Sequence, residues 1–142
     1  MSTDGPTSTY TGSCHCGQVK YEVDLPQLSD WNLSRCNCTI CHKKGYTGLL
    51  GKAGSLKLLS QSALGDYSFG TGRIHHYFCK NCGTGTHASG NVEALGGDFI
   101  MVNVHAIDGV DLSKIKVEKY WNGREEKWKD GPSAAPATPG VW

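Results

Sequence analysis

Seven cysteines stand in three clusters along this chain: Cys14-His15-Cys16-Gly17, Cys36-Asn37-Cys38-Thr39-Ile40-Cys41 and Cys79-Lys80-Asn81-Cys82-Gly83. None stands alone. Thiolates grouped in twos and threes bind borderline and soft metal ions, zinc foremost. In the third cluster, two intervening residues let the chain turn so that both sulfurs face one ion. Gly83 can supply the positive φ of such a turn. The other chemistry of C-x-x-C is a redox dithiol, which wants a helix N-terminus after a βαβ strand; that context is not seen here. In the first cluster the cysteines are next-but-one neighbours, and in an extended chain such side chains point to the same face. Cys14, Cys16, Cys79 and Cys82 therefore make a four-thiolate set. A closed set of this kind leaves no position for substrate and is structural.

Cys36, Cys38 and Cys41 remain, three sulfurs within six residues. They can grip one face of a metal ion and leave its fourth tetrahedral position free, as catalytic zinc sites do. The alternative is a closed Cys₃His site completed by His75, His76, His87 or His105. Three thiolates would leave the unit with net negative charge, a poor activator of water but a good match for a further soft sulfur ligand. The expectation is that the open position takes a substrate thiol and holds it as thiolate.

The segments around these clusters read as short strands. Gln18 to Val23 alternates polar and apolar residues, as a half-buried strand does. Trp31 to Cys38 reads as extended, Gly45 to Lys57 as glycine-punctuated chain, and Leu56 to Leu59 as a short strand. Ile74 to Phe78 leads as a strand into Cys79. Residues 83–97 are glycine-rich and read as a loop with at most a short strand. Phe99 to Val104 is nearly continuous in apolar character, as in a strand covered on both faces. Asp108 to Leu112 is a turn, and Ile115 to Trp121 alternates again. The pattern predicts a mainly β domain over 11–131, with a loose arm at 1–10 and a Pro/Ala-rich tail at 132–142.

One domain is what 142 residues suggest. Its core is thin in the usual material: hydrophobic residues make up 38%, and glycine takes 19 positions. Metal crosslinks would offset that, because metal-binding free energy becomes folding free energy. Fourteen basic and 13 acidic side chains give a formal charge of +1. That balance argues against a nucleic-acid partner, which calls for a basic excess, and gives no support for a membrane partner. Met1 to Tyr10 is polar, without the basic leader and apolar stretch of an export signal. The expected location is the cytoplasm, a reducing compartment where cysteines serve as metal ligands rather than disulfides.

Gly12 to Tyr21, Cys36 to Cys41 and Phe78 to Thr84 together resemble the glutathione-dependent formaldehyde-activating enzyme family, which also includes centromere protein V. The resemblance runs from about Thr11 to Trp121 and takes in all seven cysteines. It implies small antiparallel sheets organised around a structural zinc site, ligated by Cys14, Cys16, Cys79 and Cys82. It implies a second, catalytic zinc on Cys36, Cys38 and Cys41, hence two zinc ions per chain with glutathione as co-substrate. The implied activity is a carbon–sulfur lyase reaction, the joining of glutathione to formaldehyde as S-(hydroxymethyl)glutathione and its reversal. Two other readings fit the scaffold: a tailoring enzyme acting on a larger metabolite without glutathione, and a non-enzymatic zinc module that binds another macromolecule.

Other polar residues carry weaker signals. His42, Lys43 and Lys44 follow the open cluster and could hold the carboxylates of an anionic thiol; a solvated surface is the ordinary alternative. His75 and His76 should project to opposite faces of a strand, and one of them could be a proton donor. His87 and His105 carry no motif. Tyr120, Trp121 and Trp128 could line a pocket or pack over the core. Gly123 to Asp130 is charged and reads as a turn or short helix.

Overall fold

The computed structural model describes residues 5–142 and is mainly β. Two sheets carry the chain. A three-stranded antiparallel sheet has the order β1-β2-β5, formed by Thr7–Ser13, Lys20–Pro26 and Lys57–Ser60. A seven-stranded sheet has the order β10-β3-β4-β9-β8-β7-β6. Its members are Val117–Trp121 (β10), Leu33–Cys36 (β3), Gly48–Gly51 (β4), Gly97–Asn103 (β9), Gly85–Val92 (β8), Ile74–Cys79 (β7) and Leu64–Tyr67 (β6). Every pair is antiparallel except β10 with β3, which runs parallel and sets Trp121 beside Cys36. One six-residue α-helix, α1 (Thr39–Lys44), follows β3.

The alternation in β2 explains how the sheets meet. Tyr21, Val23 and Leu25 are fully buried, while Lys20 is exposed and Glu22 and Asp24 are half-buried. The inward set packs on Leu33, Leu49, Val102 and Val104 of the larger sheet and its flanks, and on Trp31 and Ile107. Each such apolar side chain contributes about 1.5–3 kcal/mol on leaving water. The sheets come close at Gly51, where a Cβ would sit 3.1 Å from the Val23 and Leu25 side chains and from the Asp24 carbonyl oxygen. Buried between them, the Tyr21 hydroxyl donates to the Thr86 carbonyl at 3.1 Å.

Four segments differ from the sequence expectation. Thr7 to Tyr10, expected in a loose arm, form the first half of β1, in register with Val23 to Pro26. Backbone pairing along β2 needs no apolar partner, and Thr9 adds a 2.7 Å side-chain bond to Asp24. Residues 1–4 of that arm lie outside the described residues. The glycine-rich stretch expected as a loop contains β8, eight residues paired on both sides. Here glycine serves close packing rather than a turn: a Cβ on Gly90 would collide with the Arg73 carbonyl oxygen across the β7–β8 pair. The strand β6 and the helix α1 had no counterpart in the sequence reading. In the Pro/Ala-rich end, Ser133 exchanges two backbone hydrogen bonds with Tyr120, and His42 Nδ1 lies 2.6 Å from the Trp142 main-chain oxygen. Among the described residues no helix is long and apolar enough to cross a membrane.

Candidate metal centres and the cavity beside them

Cys14 and Cys16 lie in the turn that follows β1, and Cys79 and Cys82 in the turn that ends β7. Gly17 and Gly83 leave those turns at φ of 83° and 81°, left-handed values that glycine adopts without a Cβ clash. The two turns are built alike. The Val19 amide donates to the Cys14 sulfur at 3.3 Å and the Cys82 amide to the Cys79 sulfur at 3.5 Å. The four sulfurs lie within 4.8 Å of one another, with Cys14–Cys16 and Cys16–Cys79 separations of 3.6 Å. Zinc–sulfur bonds of about 2.3 Å in a tetrahedron put sulfurs about 3.8 Å apart. The set could thus hold such an ion with little rearrangement. A hydrogen bond with the Thr84 hydroxyl is the largest influence lowering the Cys82 thiol, to about 5.

The second cluster is assembled by a strand end and a helix start. Cys36 closes β3, Cys38 caps α1 and Cys41 lies within its first turn. Their sulfurs also fall within 4.8 Å of one another. No histidine or carboxylate among the described residues joins them at that spacing. Left to themselves, three such thiols share one negative charge. Hydrogen bonds from Cys36 and then Cys41 push Cys38 down to about 3. The Cys38 partner pushes Cys36 up to about 11, and Cys36 and Cys38 together raise Cys41. A cation is what would let all three ionise.

The same three sulfurs line a cavity of about 560 Å³, within the roughly 300–1,000 Å³ usual for small-molecule sites. Of the basic candidates, Lys44 lines the cavity with Arg35 and Arg73, while Lys43 is exposed and outside its wall. The strand alternation separates the two histidines. His76 is buried and lines the cavity. His75 faces outward and pairs with Asp66 at 2.9 Å. Burial, reinforced by the Lys44 charge, lowers His76, so its imidazole is neutral near pH 7. His87 belongs to the core, stacked on Tyr77 at 4.5 Å with Nδ1 2.9 Å from the Thr86 hydroxyl. His105 is exposed. Trp121 and Trp128 line the cavity with ring centroids 5.7 Å apart; Tyr120 does not.

Three residues of this site had no sequence signal. Asn37, buried between two cysteines, is bonded through its side chain to the Asn122 side chain and the Arg124 amide, both at 2.9 Å. Arg124 returns a 2.9 Å bond from Nε to the Asn37 carbonyl. Gly123 lies between them, so close that a Cβ would stand 2.7 Å from the Cys36 sulfur. The spacing Cys-Asn-Cys hints at a buried amide between ligands, but its partners lie some 85 residues away.

The family model described as glutathione-dependent formaldehyde-activating enzyme matches residues 9–124. A crystal structure of a protein from Rhodobacter sphaeroides is similar, with a TM-score of 0.64 and 29% sequence identity over 79% of this chain and 99% of that one.

Proposed function

This chain belongs to the glutathione-dependent formaldehyde-activating enzyme family, and from that premise we propose that it is a zinc-dependent carbon–sulfur lyase joining a thiol of the glutathione type to a carbonyl compound. The observation that carries this is the three-sulfur set of Cys36, Cys38 and Cys41, without a histidine or carboxylate at bonding spacing among the described residues, opening on a 560 Å³ cavity. Cys14, Cys16, Cys79 and Cys82 would hold a second, structural ion.

A zinc ion on the three-sulfur set supplies a Lewis acid that favours the thiolate form of a substrate thiol. The chain's own residues do the rest. Lys44, Arg35 and Arg73 line the cavity with Glu93 and Glu126, and the three cations are the groups that would pair with the carboxylates of an anionic thiol. His76, buried and neutral, accepts the thiol proton at an imidazole nitrogen and returns it to the carbonyl oxygen. The sulfur–carbon bond forms as the carbonyl π bond opens, and the proton ends on the new hydroxyl. The reverse path uses the same groups. Asn37 and Arg124 are positioning residues that fix the turn carrying Cys36 and Cys38.

Zinc-edge absorption on protein with metal at both sites tests the reading. Saturating glutathione should raise the mean number of sulfurs per zinc. An unchanged sulfur number, together with no acceleration of glutathione–formaldehyde exchange by magnetization-transfer NMR, refutes it.

A further inference from the structure

The hydroxymethyl group of a formaldehyde adduct would cover little of this cavity's wall. Beyond the sulfurs, the wall is largely apolar: Phe69, Ile74, Leu95, Phe99, Met101 and Trp128 all contribute. A small hydroxymethyl group would leave that surface facing water. An apolar wall beside a reactive centre is a specificity device, because each methylene that fills such a pocket is worth about 10–200-fold in kcat/KM.

The cavity mouth points the same way. Phe69 lines the cavity yet is 52% exposed, and Tyr67 beside it is 49% exposed. Their rings stack at 5.8 Å, and Phe69 stacks in turn on His76 at 5.9 Å. Stacked aromatic rings thus run from solvent to the histidine that shares the cavity with the three sulfurs. Exposed apolar side chains continuous with a cavity mark a ligand path.

We propose that the carbonyl partner is a hydrophobic aldehyde, aliphatic or aromatic and larger than formaldehyde, so that the site makes and breaks thiol adducts bearing an apolar group of several carbons. This rests on the lyase reading above and narrows its substrate. The thiol's charged end lies toward Lys44, Arg35 and Arg73, and the apolar group against Phe69, Leu95, Phe99 and Trp128. The step is the same addition, with no change of oxidation state and no further reactant.

Two measurements on the zinc-loaded protein decide it. The first compares binding of S-hexylglutathione and S-methylglutathione, read by tryptophan fluorescence since Trp121 and Trp128 line the cavity. Five extra methylenes, each worth up to about fourfold when buried, should make the hexyl compound bind at least about tenfold more tightly. Equal affinities overturn the proposal. Phe69→Ala, at an exposed position that does not endanger folding, should cut the hexyl-to-methyl ratio about threefold or more; an unchanged ratio also counts against it. The second compares rate enhancements over the uncatalysed reaction for hexanal, benzaldehyde and formaldehyde with glutathione. The larger aldehydes should lead by about tenfold or more. A lead for formaldehyde overturns this inference and leaves the lyase reading standing. No enhancement with any aldehyde overturns both.

Discussion

His87 shows how a single side chain can link this fold to pH. It is 3% exposed, packed between Tyr21 and Tyr77, with the Thr86 hydroxyl as its hydrogen-bond partner. Burial pushes its imidazole down from 6.5 to about 4, because a charge there would lose its hydration. The unfolded chain binds a proton near pH 6.5 and the folded chain only near 4. Stability from this residue is therefore complete above about pH 6.5, drains as pH falls from 6.5 to 4, and stays low beneath that. The loss is on the order of 3 kcal/mol. Acid also attacks metal–thiolate bonds, so the control is His87→Gln, which keeps a polar partner for Thr86 and does not titrate. Urea unfolding of both proteins across pH 4–8 should show the wild type losing stability faster than the variant. Parallel curves would mean that His87 titrates alike in the folded and the unfolded chain. No sequence pattern marked this residue. Its neighbours come from β2 and β7, and only tertiary pairing makes it a core histidine.

Elements, rather than single residues, set the geometry of the second cluster. The parallel pairing of β10 with β3 brings Asn122, Gly123 and Arg124 onto the turn that holds Cys36 and Cys38. Gly123 is needed there for closeness, since its backbone passes against the Trp128 ring and the Cys36 sulfur. Gly123→Ala should push Trp128 or the Cys36 turn aside at a cost of about 1–3 kcal/mol. It should lower zinc occupancy at the second site while the first keeps its metal. Metal content by native mass spectrometry and the thermal midpoint test this together; a variant with both ions and an unchanged midpoint refutes it. Several of the strands around these clusters were legible in advance. Alternation marked β2 and β10, and a continuous apolar run marked β9. The strand β8 was not, because its glycines lower strand propensity in isolation and act only through cross-strand closeness at Gly90. Neither was α1, too short to show a helical period.

At the scale of the whole molecule, the proposed function divides the two cysteine sets between joining the fold and working within it. Cys14 and Cys16 follow a strand of the small sheet, while Cys79 and Cys82 end a strand of the large one. One ion on all four sulfurs would tie the two sheets together across 63 residues of sequence. Around it the apolar packing is slight, Val19 and Ala63 being the buried non-cysteine members of that cluster. Structural zinc is worth on the order of 10 kcal/mol in small domains, comparable with a typical domain's entire stability of about 5–15 kcal/mol. Cys79, with no exposed surface, offers no route for water to replace a lost ligand. The other three sulfurs sit on one strand end and one helix start, joined by local chain, so losing their ion releases no long-range crosslink. Cys79→Ser should therefore leave protein without a cooperative thermal transition. Cys38→Ala should leave a folded protein with one zinc and no thiol-dependent change at it. Circular dichroism melts and metal counts on both variants separate the cases. If both proteins are unfolded, or if Cys79→Ser melts like the wild type, the separation of joint from reaction centre is wrong.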